Sequence, residues 1–215
     1  FSAGWRISEE SFVKDNITWI DNLKLRASWG ELGNQNIGTY PYQNRLSLGQ
    51  NYSFGGVLVP GARVTTLANS DITWETTTTK DIGLDLDILR GKLGLVFDYF
   101  NRATSGILYN VSASQVLGLG TSEENAGAVK NSGFEIMLNY KTNISGVKLN
   151  ISPNFSYVKN KVTKLGNGLM QDLGRNLFVG ESQNVIYGYE ADGLFVDAND
   201  ISKYPTQPYS AQPGF

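Results

Sequence analysis

The feature that most restricts how this chain folds is an alternation of apolar and polar residues that recurs in separate stretches of its 215 residues. In "RGKLGLVFDYF", residues 90–100, Leu93, Leu95, Phe97 and Tyr99 share one side while Gly94, Val96 and Asp98 share the other. A period of two marks a β-strand, because successive side chains leave the backbone on opposite faces. The opening "FSAGWRI" sets Phe1, Ala3, Trp5 and Ile7 against Ser2, Gly4 and Arg6, and "NLKLRASWG" sets Leu23, Leu25, Ala27 and Trp29 against Lys24, Arg26 and Ser28. "ITWETTTTKDIGLDLDI", Ile72 to Ile88, carries Ile82, Leu84, Leu86 and Ile88 opposite Asp81, Asp85 and Asp87. "GFEIMLNYK" opposes Phe134, Ile136, Leu138 and Tyr140 to Glu135, Met137 and Asn139. In "VKLNISPNFSYVKNK", Val147, Leu149, Ile151, Phe155 and Tyr157 oppose Lys148, Asn150, Ser152, Asn154 and Ser156. The expectation is an all-β, antiparallel protein of about six strands in the usual strand-length range or beyond it.

The predicted connections alternate as well. Residues 8–21, with room for one helical turn, 90–91 and 142–146 are short links, whereas 31–71, 102–131 and everything after about 161 read as long loops. Loops that long are uncommon inside compact domains. Their alternation with tight turns is the habit of outer-membrane barrels, which have short periplasmic turns and long extracellular loops.

Two faces then need two environments. In a soluble β-sandwich the apolar rows would meet a second sheet. In a barrel they would meet lipid, aromatics would gather at the band's ends, and the opposite face would line a polar lumen. Arg26, Asp85, Asp87, Asp98, Glu135 and Lys148 fall on the polar face and are the candidate lumen-facing residues. Leu84, Leu86, Leu95 and Phe97 are the candidate lipid-facing residues, with Trp5, Trp29, Tyr99, Tyr140 and Tyr157 as an aromatic girdle. The pattern favours lipid; a soluble extracellular sandwich for adhesion or carbohydrate binding is the alternative.

Composition removes other classes. The chain has neither Cys nor His, so thiol and imidazole chemistry and ordinary zinc sites have no ligands here. A net charge of −2 without a basic block lacks the footprint of a nucleic-acid binder. No apolar run of about 18 residues encodes a membrane helix, but a barrel strand needs only about 9–11 residues. No signal peptide is expected at Phe1.

Several stretches carry a resemblance. "FSAGWRISEE", "NLKLRASWGELGNQNIG", "ANSDITWETTTTKDIGLDLDIL", "FDYFNRATSGIL", "NAGAVKNSGFEIML" and "NFSYVKNKVTKL", in this order, resemble the SusC/RagA-like TonB-linked outer-membrane transporters of Bacteroidetes. That resemblance implies a barrel of about 22 strands closed by a plug domain, of which residues 1–215 would be a partial barrel lacking the plug and the remaining strands. It implies an importer and not an enzyme, with no cofactor. Its partners would be the TonB–ExbB–ExbD complex acting through the plug, a SusD-like surface lipoprotein as lid, outer-membrane lipid, and an oligosaccharide or peptide as cargo. A segment like "YGYEADGLFVD" opens a long extracellular excursion in that family, and the chain is expected to stop inside it.

Four other features have plainer readings. Asp85 and Asp87, about 6.6–6.8 Å apart along one strand face, have the reach of a glycosidase carboxylate pair, but no apolar pocket or sugar platform accompanies them and they read as lumen polarity. "GNGLMQDLG" and "LGLG" lack the strand–turn–helix frame of a nucleotide loop. Asp192, Asp197, Asn199 and Asp200 lack EF-hand spacing and read as a solvated loop. The sequons at Asn16, Asn51, Asn110, Asn143 and Asn154 are what an Asn/Ser/Thr-rich chain produces by chance. Tyr40, Tyr42, Tyr52 and Phe54 in the first long loop are candidates for stacking on a ligand or packing against the plug.

Overall fold

The computed structural model describes residues 1–66, 68–111, 116 and 118–206. The chain divides into two units, Phe1–Val185 and Ile186–Phe215.

In the first unit β1 (Ser2–Arg6) is joined to β2 (Ile20–Asn34) through a 3-10 turn at Ile7–Glu9 and a one-turn helix, α1 (Ser11–Lys14). Four short strands follow, β3 (Arg45–Leu48), β4 (Tyr52–Phe54), β5 (Val57–Val59) and β6 (Ala62–Thr66). They pair as two small hairpins, β3 with β6 and β4 with β5. The long strands β7 (Glu75–Ile88), β8 (Leu93–Val111) and β9 (Ser122–Ile144) come next. The last strands are β10 (Val147–Ile151), β11 (Asn154–Lys164), β12 (Gln171–Asp172) and β13 (Leu177–Phe178).

The main sheet runs β1-β2-β7-β8-β9, with β10 and β11 both on the outer side of β9, so six strand positions lie side by side, all antiparallel. The expected final strand is thus split at Ser152–Pro153. Proline has no N–H for the ladder, yet its carbonyl still accepts from Leu138 N at 3.0 Å, and the pairing continues from Ile151↔Tyr140 to Asn154↔Met137. Three residues advance on each strand, so the faces are not exchanged.

The lengths differ from the sequence expectation in one large respect. Residues 102–131 are not mostly loop: β8 extends to Val111 and β9 begins at Ser122. The alternation vanishes there because the ladder is bulged between Ser105 and Leu108, at Gly106 with φ +67°, and each inserted residue reverses the faces. β2 likewise runs on to Asn34, four residues past the legible pattern, while β7 starts at Glu75, leaving Ile72 and Trp74 outside it. At 23 residues, β9 is about 76 Å long, far beyond a sandwich strand.

The tight turn at the other end spans Leu89–Gly91, all three with positive φ, and Asp21 accepts a hydrogen bond from Gly91 N. The α1 connection and Ser145–Gly146 lie at this same end, opposite the longer connections.

Register shows two chemically distinct faces. Leu25, Leu84, Phe97, Ile136 and Phe155 form one cross-strand row, Leu23, Leu86, Leu95 and Leu138 the next, and Ile82, Tyr99, Phe134 and Tyr157 the row on the other side. This face is open: Ile82 is 61% exposed, Phe155 58% and Tyr157 52%, so no second sheet covers it among the described residues. Phe134 bridges its neighbours, with ring centroids 6.3 Å from Phe97 and 5.8 Å from Tyr157. The buried cluster lies on the polar face instead, where Val129, Val162 and Leu165 pack with Ile107, Tyr109, Leu177 and Val179 near the long-connection end.

In the second unit, α2 (Ala198–Ile201) is capped by Asp197, whose carboxylate accepts from Asp200 N at 2.8 Å. Phe195 and Tyr204 meet edge-on at 5.5 Å.

Candidate functional site

The polar face is organised by one arginine. Arg26 on β2 lies opposite Gly83 on β7, which lies opposite Asp98 on β8 and, through it, Glu135 on β9. A side chain at Gly83 would occupy the space of the Arg26 guanidinium and the Asp98 carboxylate, so its absence lets Arg26 cross the strand. Arg26 Nε donates to both Asp85 oxygens at 3.0 Å, and Nη2 reaches Asp98 Oδ1 at 2.9 Å. The three side chains are only about a quarter to a third exposed, enough burial for charge-assisted hydrogen bonds to hold fixed geometry. Asp87 is engaged separately, accepting from Asn22 Nδ2 at 3.1 Å. Asp85 and Asp87, whose spacing has the reach of a glycosidase pair, are therefore both held in structural contacts. Lys148 shares the face, opposite Asn143 on β9.

A second centre lies where the chain leaving β11 folds back. It is a cavity of about 690 Å³ walled by Tyr109 and Val111 of β8, Leu169, Asp172, Leu173 and Arg175. The Tyr109 hydroxyl donates a hydrogen bond to the Asp172 carboxylate. The Arg175 guanidinium lies 4.5 Å from the Tyr109 ring centroid and donates to Asp172 at 3.2 Å. Asp172 also accepts from Arg175 N, closing the turn that joins β12 to β13. These contacts, first the Tyr109 hydroxyl and then Arg175, hold the Asp172 carboxyl below its usual range.

A carboxylate stabilised in the folded state contributes stability above its unfolded pKa, and that contribution disappears as pH falls through the lowered folded value. Protection of the Arg175 amide, measured against its intrinsic exchange rate at each pH, is therefore expected to persist through the ordinary carboxylate range and to be lost only below it. In Asp172→Ala it should already be partly lost at neutral pH, since only the weaker bond from Arg175 N to the residue-172 carbonyl, 3.3 Å, remains. Hydrogen-exchange mass spectrometry of both forms checks this.

Sequence reasoning missed this centre, since Tyr109 lay in a presumed loop and Asp172 and Arg175 in another; the one signal that could have found it is the Asp-x-Gly turn pattern at 172–174, which alone reads as part of a Gly-rich loop. The apolar candidates Trp5, Trp29, Leu84, Leu86, Leu95, Phe97, Tyr99, Tyr140 and Tyr157 all share the apolar face by register. The loop aromatics associate in pairs, Tyr40 with Tyr42 at 6.1 Å and Tyr52 with Phe54 at 4.8 Å, and none of them lines the cavity.

Comparison with known proteins follows the same outline. The family described as TonB dependent receptor-like, beta-barrel matches residues 3–206. TonB-dependent receptor P3 of Formosa agariphila is 31% identical over 99% of this chain and 22% of its own length. TonB-dependent receptor SusC of Bacteroides thetaiotaomicron is 32% identical over 78% of this chain and 17% of its own. Among solved structures, the RagAB peptide transporter superposes with a TM-score of 0.70 at 24% identity, covering 85% of this chain and 20% of that one. The RagAB peptide importer in its open-open state gives 0.68 at 27%, covering 78% and 18%. The chain thus spans about a fifth of the length of the relatives it matches.

Proposed function

The chain belongs to the TonB-dependent receptor-like β-barrel family, and from that premise we propose that it forms part of the wall of an outer-membrane importer of Gram-negative cells, with its apolar face in lipid and its polar face in the lumen. The observation that carries this is the open apolar face spanning six strand positions. Along β9 its apolar row runs from Phe134 through Ile136, Leu138 and Tyr140 to Ile144, ten residues on. That is about 33 Å of strand, or about 25 Å of height at a tilt near 40°, the thickness of a barrel's apolar band.

In this reading the Arg26–Asp85–Asp98 cluster braces three adjacent staves where the plug would lie, and the Tyr109–Asp172–Arg175 cavity opens toward the outer mouth. The cavity's mixture of apolar side chains, Val111, Leu169 and Leu173, with the polar Asn110, Thr121 and Gln171 suits an oligosaccharide or a peptide, the latter being what the RagAB importer is named for. A surface lipoprotein would meet the long connections, and the TonB–ExbB–ExbD complex would act through the plug. The role is transport rather than catalysis.

Spin labels on cysteines introduced into the full-length protein test the face assignment. Labels at Leu84, Leu86, Leu95 and Phe97 are expected to be relaxed by oxygen dissolved in lipid, and those at Asp85 and Gly94 by a water-soluble nickel chelate. The reverse pattern sinks the reading.

A further inference from the structure

Four lysines lie on the apolar face where an apolar surface should end. Lys80 on β7, Lys130 on β9, and Lys159 and Lys161 on β11 share that face by register. They sit one or two rows beyond Ile82, Tyr99, Phe134 and Tyr157, on the side of the long connections. Lys130 is directly opposite Lys161, and Lys159 is opposite Ser132. Like charges directly across a strand pair repel and destabilise the sheet. All four are exposed and none forms an ion pair among the described residues. The acidic residue sharing these rows, Glu31 on β2, lies opposite Thr78, diagonal to Lys80 without forming an ion pair with it among the described residues, and three strands from Lys130.

Between Lys80 and Lys130 the surface is concave, with a depression of about 550 Å³ floored by Ala103, Thr78 and Asn101 and bounded below by Ile82 and Tyr99. The small Ala103 side chain leaves room between two long cationic ones. A ligand here would have an anionic head between the lysines and an apolar body continuing down over Tyr99, Phe134 and Tyr157.

We infer that this cluster is a binding site for the phosphate groups of the phosphorylated glycolipid that forms the outer leaflet. The inference rests on the membrane orientation proposed above, which puts the long-connection end of the strands outside. The lysines then stand at headgroup level just above the aromatic rim, where each cation near an anionic lipid surface is worth a severalfold gain in affinity. Bound phosphate offsets the Lys130–Lys161 repulsion, and the acyl chains lie against the apolar rows.

The test uses the full-length transporter in detergent, with rough lipopolysaccharide as the probe and native mass spectrometry as the readout. The Lys80→Gln/Lys130→Gln/Lys161→Gln variant is expected to bind about a hundredfold more weakly than the parent, at about fivefold per lysine. Enzymatically dephosphorylated lipopolysaccharide should bind the unaltered protein as weakly as intact lipid binds the variant. Equal occupancy in parent and variant, or indifference of the parent to phosphate, overturns the site. The spin labels separate the two failures: if Leu95 reports lipid and the lysines make no difference, only this inference falls, whereas a water-exposed Leu95 removes its premise.

Discussion

Leu95→Arg in the full-length transporter is expected to cost about 2–4 kcal/mol of barrel stability, the penalty of a cation near the lipid midplane. Leu95 lies between Leu86 and Leu138, in the row beneath Phe97 and well inside the apolar band. Its neighbour in sequence, Val96, points the other way and lies opposite Asp85. Val96→Lys should therefore cost much less, since it places a cation beside a carboxylate on the polar face. Outer-membrane yield and the temperature at which the folded, heat-modifiable band is lost on electrophoresis measure both variants side by side. Equal losses would mean that the two faces do not meet different solvents.

The second large effect is expected at Arg26. Arg26→Met leaves Asp85 and Asp98 without their cation on a face that also holds Glu135 opposite Asp98. Removing one member of a fully buried pair costs 3–5 kcal/mol. Here the carboxylates keep about a quarter of their side-chain surface, and solvent screening brings the expected loss to about 1–2 kcal/mol. Asp98→Asn in the Arg26→Met background should recover part of that loss by relieving repulsion. A double-mutant cycle of denaturant unfolding into lipid vesicles reads it, and strict additivity of the two substitutions would show that they do not interact.

What was legible in the sequence is the β class, the six strand positions, the partition of residues between faces and the family likeness. All depend on a period of two, which is a local property of the backbone. It survived even the break at Pro153, because Ile151 and Asn154 advance by the same count as their partners Tyr140 and Met137. Strand length was not legible. The bulges around Gly106 reverse which side each residue takes, so Ile107, Tyr109 and Val111 join the polar face although their odd positions continue the apolar row of Leu93 to Tyr99.

The sequence by itself determined which side chains stand together on each strand, because alternation needs no partner. Tertiary structure decided which charges meet across strands and which distant turn covers them. Arg26 finds Asp98, 72 residues away, only through the register that puts Gly83 between them. Tyr109 finds Asp172 only because the chain after β11 folds back over the polar face. Four lysines that are scattered in sequence become one cluster for the same reason: pairing across strands brings together residues whose separation along the chain no local pattern encodes.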